Sequence, residues 1–299
     1  FSAVGYFFGK KLNHDLHVPI GLREAAWGGT PAEVWTPGQL VEHDDSLIPA
    51  AEKQIPSDFW PYKPGYCYNG MIAPVTPFSV AGALWYQGES NTAAPQTYGR
   101  LLTTMIAAWR EAWGLPLSFY FVQIAPFAYG VKDQASVLRE QQARVMHVEH
   151  TGMVVISDLG IDTTNIHPKD KHDVGYRLAA WALADTYHQQ QISYIQPAYA
   201  RMEVQGNRII VTCSDAPGGL VLKDKDKNAK ELVIAGEDRV FWPATARIEG
   251  NKLVVSSPRV KKPVAVRYQF SNAGIGNIAG KDGLPLAPFR TDSWPIPIN

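Results

Sequence analysis

The stretch SVAGALWYQGESN, residues 79–91, joins an apolar run to a polar loop. Ser79–Tyr86 has the length and the continuous apolar character of a strand buried on both faces, as in a parallel sheet covered by helices. Gln87–Asn91 then gathers four polar side chains around one glycine, directly after the predicted strand. Ligands of open parallel sheets bind beyond the carboxyl ends of the strands. The loop is therefore a candidate site, and Ser90 is its first candidate nucleophile.

Segments on either side of this stretch alternate between helical and strand patterns. The predicted elements are a helix over Ser2–Leu12, a strand over Val18–Trp27, a helix over Tyr98–Trp113, a strand over Ser118–Ile124, a helix over Gln134–His150, a strand over Met153–Ser157 and a helix over Lys171–His188. Because the strands are apolar along their whole length, they predict a parallel sheet with helices on both faces. Residues 28–74 follow neither pattern, and so long an irregular stretch in a compact domain is usually functional surface.

The pattern changes after about Gln191. Short alternating runs, separated by turn residues, predict strands over Arg208–Cys213, Gly219–Leu222, Leu232–Ile234, Ala246–Ile248, Lys252–Val255 and Val264–Phe270. The predicted fold class is therefore α/β, with a three-layer parallel sheet over residues 1–190. An all-β, sandwich-like domain is predicted over residues 191–299.

Charge and cysteine content narrow the class of protein. Lys plus Arg is 28 and Asp plus Glu is 28, so no net charge attracts nucleic acid or an anionic membrane. No apolar run reaches the length of a membrane span. Cys67 and Cys213 form no CxxC pair, which favours two buried thiols over a disulfide, a zinc site or a redox site. The start at Phe1, with neither Met nor a charged leader, indicates a chain that begins within a longer gene product, after processing or at an expression boundary.

Two more loops follow predicted strands. One contains Gly28 and Gly29, whose backbone N–H groups can point into a site as an oxyanion hole requires, although an ordinary tight turn explains the same pair. The other, residues 158–168, carries His167 just before the last predicted helix, where an imidazole can act as a general base with a carboxylate behind it. The other seven histidines are typical surface or core residues, and His147 and His150 lack a third metal ligand.

Five blocks of the sequence resemble, in the same order, those of the sialate O-acetylesterase family within the SGNH-type hydrolases. The blocks are GLREAAWGGTPAEVW, NGMIAPVTPF, ALWYQGESN, LREQQ and NIHPKDKHDVGYRLA. Three later segments, AGEDRVFWPATARIEG, VAVRYQF and GLPLAPFRTDSW, are similar to the closing part of that family. The resemblance covers residues 1–295, and the number of ordered blocks makes it specific.

This resemblance implies a serine esterase that removes acetyl groups from the hydroxyls of sialic acids, without a metal or another cofactor. His167 matches the family histidine, and Gly28 or Gly29 matches the backbone donor of the oxyanion hole. The QGESN loop matches the block whose amide side chain donates to the oxyanion. We assign that amide to Gln87 first and to Asn91 second.

The same loops supply candidate substrate-binding residues, namely Trp27, Glu89 and Asn91. The partners implied are an O-acetylated sialic acid or a related acetylated sugar, with no nucleic acid and no membrane. The family is often periplasmic, secreted or lysosomal.

The sequence departs from the family pattern in two places. The family nucleophile lies in an earlier G-Q-S-N-M block, and neither a separate G-x-S-N nor a G-D-S occurs here, so Ser90 belongs to a later block. We therefore expect the serine upstream of Phe1, in an N-terminal segment or a separate chain. The resemblance thus implies an SGNH-like parallel sheet whose first strand, which bears the serine, is missing from this chain. In addition, Thr164 stands where SGNH-type hydrolases have an aspartate, three residues before the histidine. Either Asp162 or a backbone carbonyl can orient His167 instead, or the enzyme works with a Ser-His dyad and no third group. Asp162 is our candidate.

Two alternatives stay open. Related SGNH-type families share the QGE loop and act on acetylated plant polysaccharides, which gives an acetylxylan-type esterase. A carbohydrate-binding protein without catalysis is the other alternative, because Trp35, Trp60, Tyr62 and Tyr66 resemble an exposed aromatic surface. The β domain carries no motif for chemistry, and packing against the first domain is its expected role.

Overall fold

The computed structural model describes residues 1–223 and 228–298. Its helices are α1 (Ala3–Leu16), α2 (Gly38–Glu42), α3 (Ile48–Ala51), α4 (Tyr98–Trp113), α5 (Gln134–Arg144) and α6 (Lys171–Trp181). Single turns of 3₁₀ or π type cover Ala32–Trp35, Tyr68–Ile72, Ala73–Val75, Glu89–Asn91, Pro95–Thr97, Val145–His147 and Ala182–Thr186. The strands of the first half are β1 (Gly82–Trp85), β2 (Ser118–Val122) and β3 (Thr151–Val154).

The strands β1, β2 and β3 form a parallel sheet in that order. Side chains alternate between its faces. One face packs Trp85 and Phe119 against Leu102 of α4, and the other packs Tyr120 and Val154 against α1 and α6. Each face of the sheet therefore has its own apolar core, and the predicted three-layer α/β fold is confirmed.

Helix α4 has the bounds that the sequence predicted. Its buried stripe contains Leu101, Leu102, Met105 and Ile106, and the helix ends at Gly114, which adopts a left-handed φ of 63°. The other three predicted helices differ in length. Helix α1 continues past Asn13, because the N–H of His17 bonds to the carbonyl of Asn13 at 3.0 Å and closes the last turn. Helices α5 and α6 end earlier than predicted, each in a single turn of another helical type.

The strand predicted over Val18–Trp27 is wrong. These residues form no regular element, and most of them are exposed, including Val18 and Trp27. The reason is the absence of a partner: no other described residue makes a backbone-to-backbone hydrogen bond with the segment. A strand is stable only when its N–H and C=O groups are paired, so an apolar sequence alone does not produce one.

The second half is an antiparallel β region, as predicted. Its strands are β4 (Ala198–Gln205), β5 (Arg208–Ser214), β6 (Leu220–Leu222), β7 (Leu232–Ala235), β8 (Phe241–Pro243), β9 (Thr245–Glu249), β10 (Lys252–Ser256), β11 (Ala265–Tyr268), β12 (Ile278–Gly280) and β13 (Phe289–Arg290). They form two four-stranded sheets, β4-β5-β10-β9 and β13-β11-β7-β8, and a two-stranded sheet, β12-β6. Their inner faces share one apolar core that includes Ile209, Ile234 and Leu253.

The β region is tied to α5 by polar contacts. Arg139 of α5 is buried, and its guanidinium donates to the carbonyls of Ser271 and Asn272. Arg290 pairs with Glu140 through two bonds of 2.9 and 3.1 Å. Burial lowers the pKa of Arg139 to about 10. The two halves are therefore joined by specific bonds at α5, next to the loops that follow the parallel sheet.

We predict that Gly152→Ala destabilises the protein by about 1–3 kcal/mol, because a core without spare volume resists an added methyl group. A Cβ atom at Gly152 would lie 2.4 Å from the ring of Trp181 and 2.8 Å from the ring of Tyr120. The free energy of unfolding in urea measures the loss. Gly130→Ala is the control, since a Cβ atom there meets nothing within 4 Å. Equal stability of the two variants would contradict tight packing of α6 on β3.

Candidate active site

The glycine turn at residues 28–29 lies at the carboxyl-end edge of the sheet. Gly29 has a φ of +83°, and a Cβ atom there would lie 2.8 Å from the indole of Trp60. Gly28 has open space around its Cα atom. Only glycine combines the left-handed φ with room for the indole at position 29. The turn is therefore held by packing from one side and is open on the other.

A buried amide joins this turn to the loop after β1. Asn91 is 3% exposed, and its Oδ1 accepts from the N–H of Ala32 at 2.9 Å and from Nε2 of Gln87 at 2.7 Å. Its Nδ2 donates to Oε2 of Glu33 at 2.8 Å. Glu33 is itself 1% exposed, and burial raises the pKa of its carboxyl. Glu33 lies in the WGGTPAEVW block, but its local sequence pattern does not mark it as a site residue.

Both amide hydrogens of Gln87 have acceptors. Its Nε2 donates to the carbonyl of Thr30 at 3.2 Å and to Oδ1 of Asn91 at 2.7 Å. Its Oε1 accepts from the hydroxyl of Tyr98 at 2.9 Å. Donation from Gln87 to an oxyanion would have to replace one of these bonds, and the longer bond to Thr30 is the weaker one. Asn91 donates one of its two Nδ2 hydrogens to Glu33, which leaves the other for a further hydrogen bond.

The hydroxyl of Ser90 is engaged with the glycine turn. Its Oγ donates to the carbonyl of Gly29 at 2.9 Å. A nucleophilic serine donates its proton to a base, whereas this bond fixes the direction of the peptide that follows Gly29. Ser90 thus braces the turn through this bond.

The loop between β3 and α6 presents His167 to solvent. The N–H of His167 bonds to Oδ1 of Asn165 at 2.9 Å, which sets the loop conformation at that point. Asp162 is also exposed, and its Oδ1 accepts from the N–H of Thr164 at 3.0 Å and from its hydroxyl at 2.7 Å. These bonds lower the pKa of Asp162. The carboxylate of Asp162 closes a turn within its own loop. The role of Asp162 in orienting His167 stays a prediction.

Glu89 is a half-buried carboxyl in the loop after β1, and among the described residues no hydrogen bond or ion pair joins it to His167. Burial raises the pKa of Glu89, while bonds from the backbone N–H groups of Glu89 and Gly88 and the positive charges of His167 and Lys171 act in the opposite direction. Gly88 brings this carboxylate inward, because its φ is +153° and a Cβ atom there would lie 2.6 Å from Ile124. The QGES loop therefore carries a half-buried carboxyl whose pKa responds to the charges of His167 and Lys171.

Two tyrosines line the same region. The charge of Glu89 contributes to raising the pKa of Tyr86 and of Tyr129 beyond their ordinary range, although burial is the larger cause. Among the described residues, neither hydroxyl has a hydrogen-bond partner although both are buried. Nζ of Lys171 lies 5.2 Å from the ring centroid of Tyr86. Buried hydroxyls without partners are uncommon, and here they mark polar space beside Glu89.

One group of side chains in the described ranges has the spacing of metal ligands. Across residues 1–223 and 228–298, one group, Asp170, His172 and Asp173, brings three suitable ligand atoms within 4.8 Å of one another. Its members already have structural roles, because Asp170 caps α6 by accepting from the N–H of Asp173 at 2.9 Å and His172 pairs with Asp173 at 2.7 Å. The other six histidines besides His167 are exposed.

The aromatic residues divide into two groups. Trp35 is 3% exposed and packs edge-on against Trp85 in the core, so its predicted exposure is wrong. Trp27, Trp60 and Tyr66 are exposed, and Nε1 of Trp27 bonds to the carbonyl of Phe59 at 3.0 Å.

Cys67 and Cys213 are free and buried, as favoured by the sequence. No helix in the described ranges is long and apolar enough to cross a membrane.

A three-layer parallel sheet with glycine, amide and histidine loops at one edge defines the SGNH-type hydrolase fold. The chain belongs to the carbohydrate esterase family described as sialic acid-specific acetylesterases, whose model matches residues 2–184.

The similar proteins carry the same descriptions. The chain is 28% identical to the sialate O-acetylesterases of Pongo abelii and Homo sapiens over 296 residues, 90% of this chain and 56% of each relative. It thus spans about half the length of these relatives. A crystal structure of a carbohydrate acetylesterase from Xanthomonas citri is 36% identical, with a TM-score of 0.86 over 98% of this chain and 66% of that one.

The raised pKa of Glu33 predicts a pH-dependent stability difference. Because the folded protein holds the Glu33 proton more tightly than the unfolded chain does, deprotonation destabilises the fold as the pH rises above the ordinary glutamate value near 4.5. We expect Glu33→Gln to gain stability relative to the wild type as the pH increases from 4 to about 8. Urea unfolding across this range measures the gain, with exposed Glu52→Gln as the control. A difference independent of pH would contradict the prediction.

Proposed function

We propose that this chain forms the larger, C-terminal part of a serine-type carbohydrate esterase that removes O-acetyl groups from sialic acids. The observation that carries the proposal is the convergence of three loops at one edge of the sheet. Ser90 bonds to Gly29, Asn91 bonds to Ala32, and Glu89 interacts with His167. Family membership supports the reaction class and the sugar. In residues 1–223 and 228–298 no serine hydroxyl bonds to His167, whose one hydrogen bond is to Asn165. We therefore propose that the nucleophile lies on a segment upstream of Phe1 or on a separate chain.

In the proposed reaction, the serine hydroxyl attacks the acetyl carbonyl carbon while His167 takes the hydroxyl proton. The tetrahedral oxyanion accepts hydrogen bonds from the backbone N–H groups at Gly28 and Gly29 and from an amide of the loop after β1. Collapse of this intermediate breaks the ester bond, and the sugar oxygen leaves with the proton from His167. Water then attacks the acetyl-enzyme, again with His167 as the base, and acetate is released.

Glu89 is our candidate for the carboxylate behind His167. A buried carboxylate stabilises an adjacent imidazolium more strongly than an exposed one, because solvent screens the exposed charge. Glu89 is half-buried and Asp162 is exposed, so Glu89 meets this requirement better. Asp162 remains the alternative, because it precedes His167 on the same loop.

The proposed substrate is an O-acetylated sialic acid, and acetylated plant polysaccharide is the second candidate. Exposed Trp27 and Trp60 beside the glycine turn suit the apolar face of a sugar ring in either case. We place the enzyme in the periplasm, outside the cell or in the lysosome, on the family membership alone.

The first test compares the chain alone with the chain joined to the segment encoded before Phe1. We expect hydrolysis of 4-nitrophenyl acetate and of 9-O-acetylated sialic acid only in the joined form. His167→Ala should lower kcat by about 10²–10⁴-fold. Ser90→Ala should lower kcat by about fivefold, since it removes one hydrogen bond worth about 1 kcal/mol. Turnover by the chain alone that disappears in Ser90→Ala would refute the assignment. Faster deacetylation of xylan than of sialic acid would favour the second substrate.

The second test compares Glu89→Gln with Asp162→Asn in the joined form. Glu89→Gln keeps the size of the side chain and removes its charge, so kcat should fall by about 100-fold or more. Asp162→Asn should lower kcat much less, because its carboxylate bonds to Thr164. The rates of 4-nitrophenyl acetate hydrolysis across pH 5–9 measure both effects. A large loss in Asp162→Asn with none in Glu89→Gln would reverse the assignment.

A further inference from the structure

Two loops lie side by side where the strands β2 and β3 end. We call residues 123–133, between β2 and α5, the β2 loop, and residues 158–168 the histidine loop. Because β2 and β3 are parallel neighbours in the sheet, both loops start at the same edge. The N–H of Ala128 in the β2 loop donates to the carbonyl of Thr163 in the histidine loop at 2.9 Å. A shift of the β2 loop would therefore move the histidine loop with it.

One asparagine of the β region holds the β2 loop in place. Nδ2 of Asn272 donates to the carbonyl of Val131 at 2.6 Å and to that of Tyr129 at 3.3 Å. The main-chain carbonyl of Asn272 accepts from the N–H of Phe127 at 3.1 Å. Asn272 follows β11 and lies more than 140 positions from Tyr129 and Val131 in the chain. The β region therefore holds the β2 loop at three points.

The same side chain caps α5. Oδ1 of Asn272 accepts from the N–H of Ala135 at 3.0 Å. Asp133, at the start of the helix, has a left-handed φ of 60° and makes no cap bond with its own side chain. The first N–H groups of a helix have no acceptors within the helix, and Asn272 supplies one from the β region. Both polar atoms of its side chain thus have partners, all of them on residues 129–135.

A second contact from the β region holds the start of the histidine loop. The carboxylate of Asp158 accepts from Nη1 and Nη2 of Arg177 in α6 at 2.7 and 2.8 Å, and from Nζ of Lys223, the residue after β6. The side chain of Asp158 is 6% exposed. Burial alone would raise the pKa of Asp158, but the bonds and charges of Arg177 and Lys223 lower it. Lys223 therefore ties the β region to the first residue of the histidine loop.

A short series of bonds leads from these anchors to His167. The N–H of Asn165 donates to the carbonyl of Asp162 at 3.0 Å, and Oδ1 of Asn165 accepts from the N–H of His167 at 2.9 Å. His167 itself is exposed. Since little packing surrounds this residue, the bonds within the loop and the anchors at Asp158 and Thr163 set where its imidazole lies.

From these contacts we infer that the β region positions His167 for catalysis, with Asn272 acting through the β2 loop and Lys223 acting through Asp158. Both are positioning residues, because neither bonds to His167. The inference rests on the proposed function, in which His167 takes and returns the proton. It assigns a role to a region of the chain that carries no motif for chemistry. A catalytic group displaced by about 1 Å can lose about 100-fold in rate, so residues that act only through a loop can control the reaction.

Amide hydrogen exchange of the 1–299 chain tests the first anchor. Asn272→Asp keeps Oδ1 as the acceptor for Ala135, where a negative charge at the start of a helix is favourable, but removes both donors to the β2 loop. We expect the circular dichroism spectrum of the wild type, retained protection of Ala135, and exchange at Ala128 that is faster by about tenfold or more. Asn251→Asp is the matched control, since it removes a bond to the carbonyl of Cys213 inside the β region. It should leave exchange at Ala128 unchanged.

Lys223→Met tests the second anchor without risk to folding, because Arg177 keeps both of its bonds to Asp158. Exchange at Asn165 in the histidine loop should become faster by about threefold or more. Lys252→Met is the control, since Lys252 is an exposed lysine of β10. It should leave exchange at Asn165 unchanged.

The kinetics of the joined form separate positioning from a merely structural role. Asn272→Asp should lower kcat for 4-nitrophenyl acetate by about 10–100-fold and change KM by less than about twofold, since the groups that bind the ester stay in place. Lys223→Met should lower kcat by about threefold, again with little change in KM. Asn251→Asp should leave both constants at their wild-type values.

The possible outcomes distinguish this inference from the proposed function. Unchanged exchange at Ala128 in folded Asn272→Asp would overturn the inference. If that variant does not fold, unchanged exchange at Asn165 in Lys223→Met would overturn it instead. Faster exchange with an unchanged kcat would also overturn it, because the anchors would then not position His167. A wild-type joined form without esterase turnover would reject the proposed function, while the exchange rates would still show whether the β region holds the loop.

Discussion

The buried amide of Asn91 holds the candidate site together. It bonds to the backbone of Ala32, to the side chain of Gln87 and to the carboxylate of Glu33, and so connects residues almost sixty positions apart. A buried polar group without partners would cost about 1–3 kcal/mol. Residues 28–33 and the loop after β1 can therefore adopt only conformations in which these partners meet. The directions of the glycine turn and of the QGES loop follow from that constraint.

Local sequence predicted the elements whose partners lie within the chain. Helix α4 has an apolar stripe and a terminal glycine, and both ends were correct. Strand β2 was correct because four of its five residues are buried between two helical layers. Val18–Trp27 has an equally apolar sequence and no strand, since pairing depends on a neighbour that sequence pattern does not reveal. Strand β4 was missed for the opposite reason, because exposed residues on both faces obscure its alternation.

The sequence predicted which residue types form the candidate site. It predicted less well which of these side chains contact one another. The histidine loop and the QGESN loop follow strands β3 and β1, where general rules place ligand sites, whereas the glycine pair follows residues 18–27, which form no strand. The interaction of Glu89 with His167 joins loops that are far apart in sequence, and it depends on the unusual backbone of Gly88. Nothing in the spacing of Asp162, Thr164 and His167 indicates that the nearer carboxylate is occupied by its own turn. Side-chain bonds within a loop decide which charge is available to a neighbour.

The contact of Arg139 with the β region limits how this protein can be rearranged. Nη1 and Nη2 of its buried guanidinium donate to the carbonyls of Asn272 and Ser271, residues that lie more than 130 positions away in the chain, while its Nε has no partner among the described residues. A shortened protein that ended after α6 would lose both of these acceptors and the partner of Glu140, Arg290. Domain shuffling at this boundary would therefore need a compensating change at position 139. The β region and the parallel sheet are thus coupled through α5, even though their folds look separable.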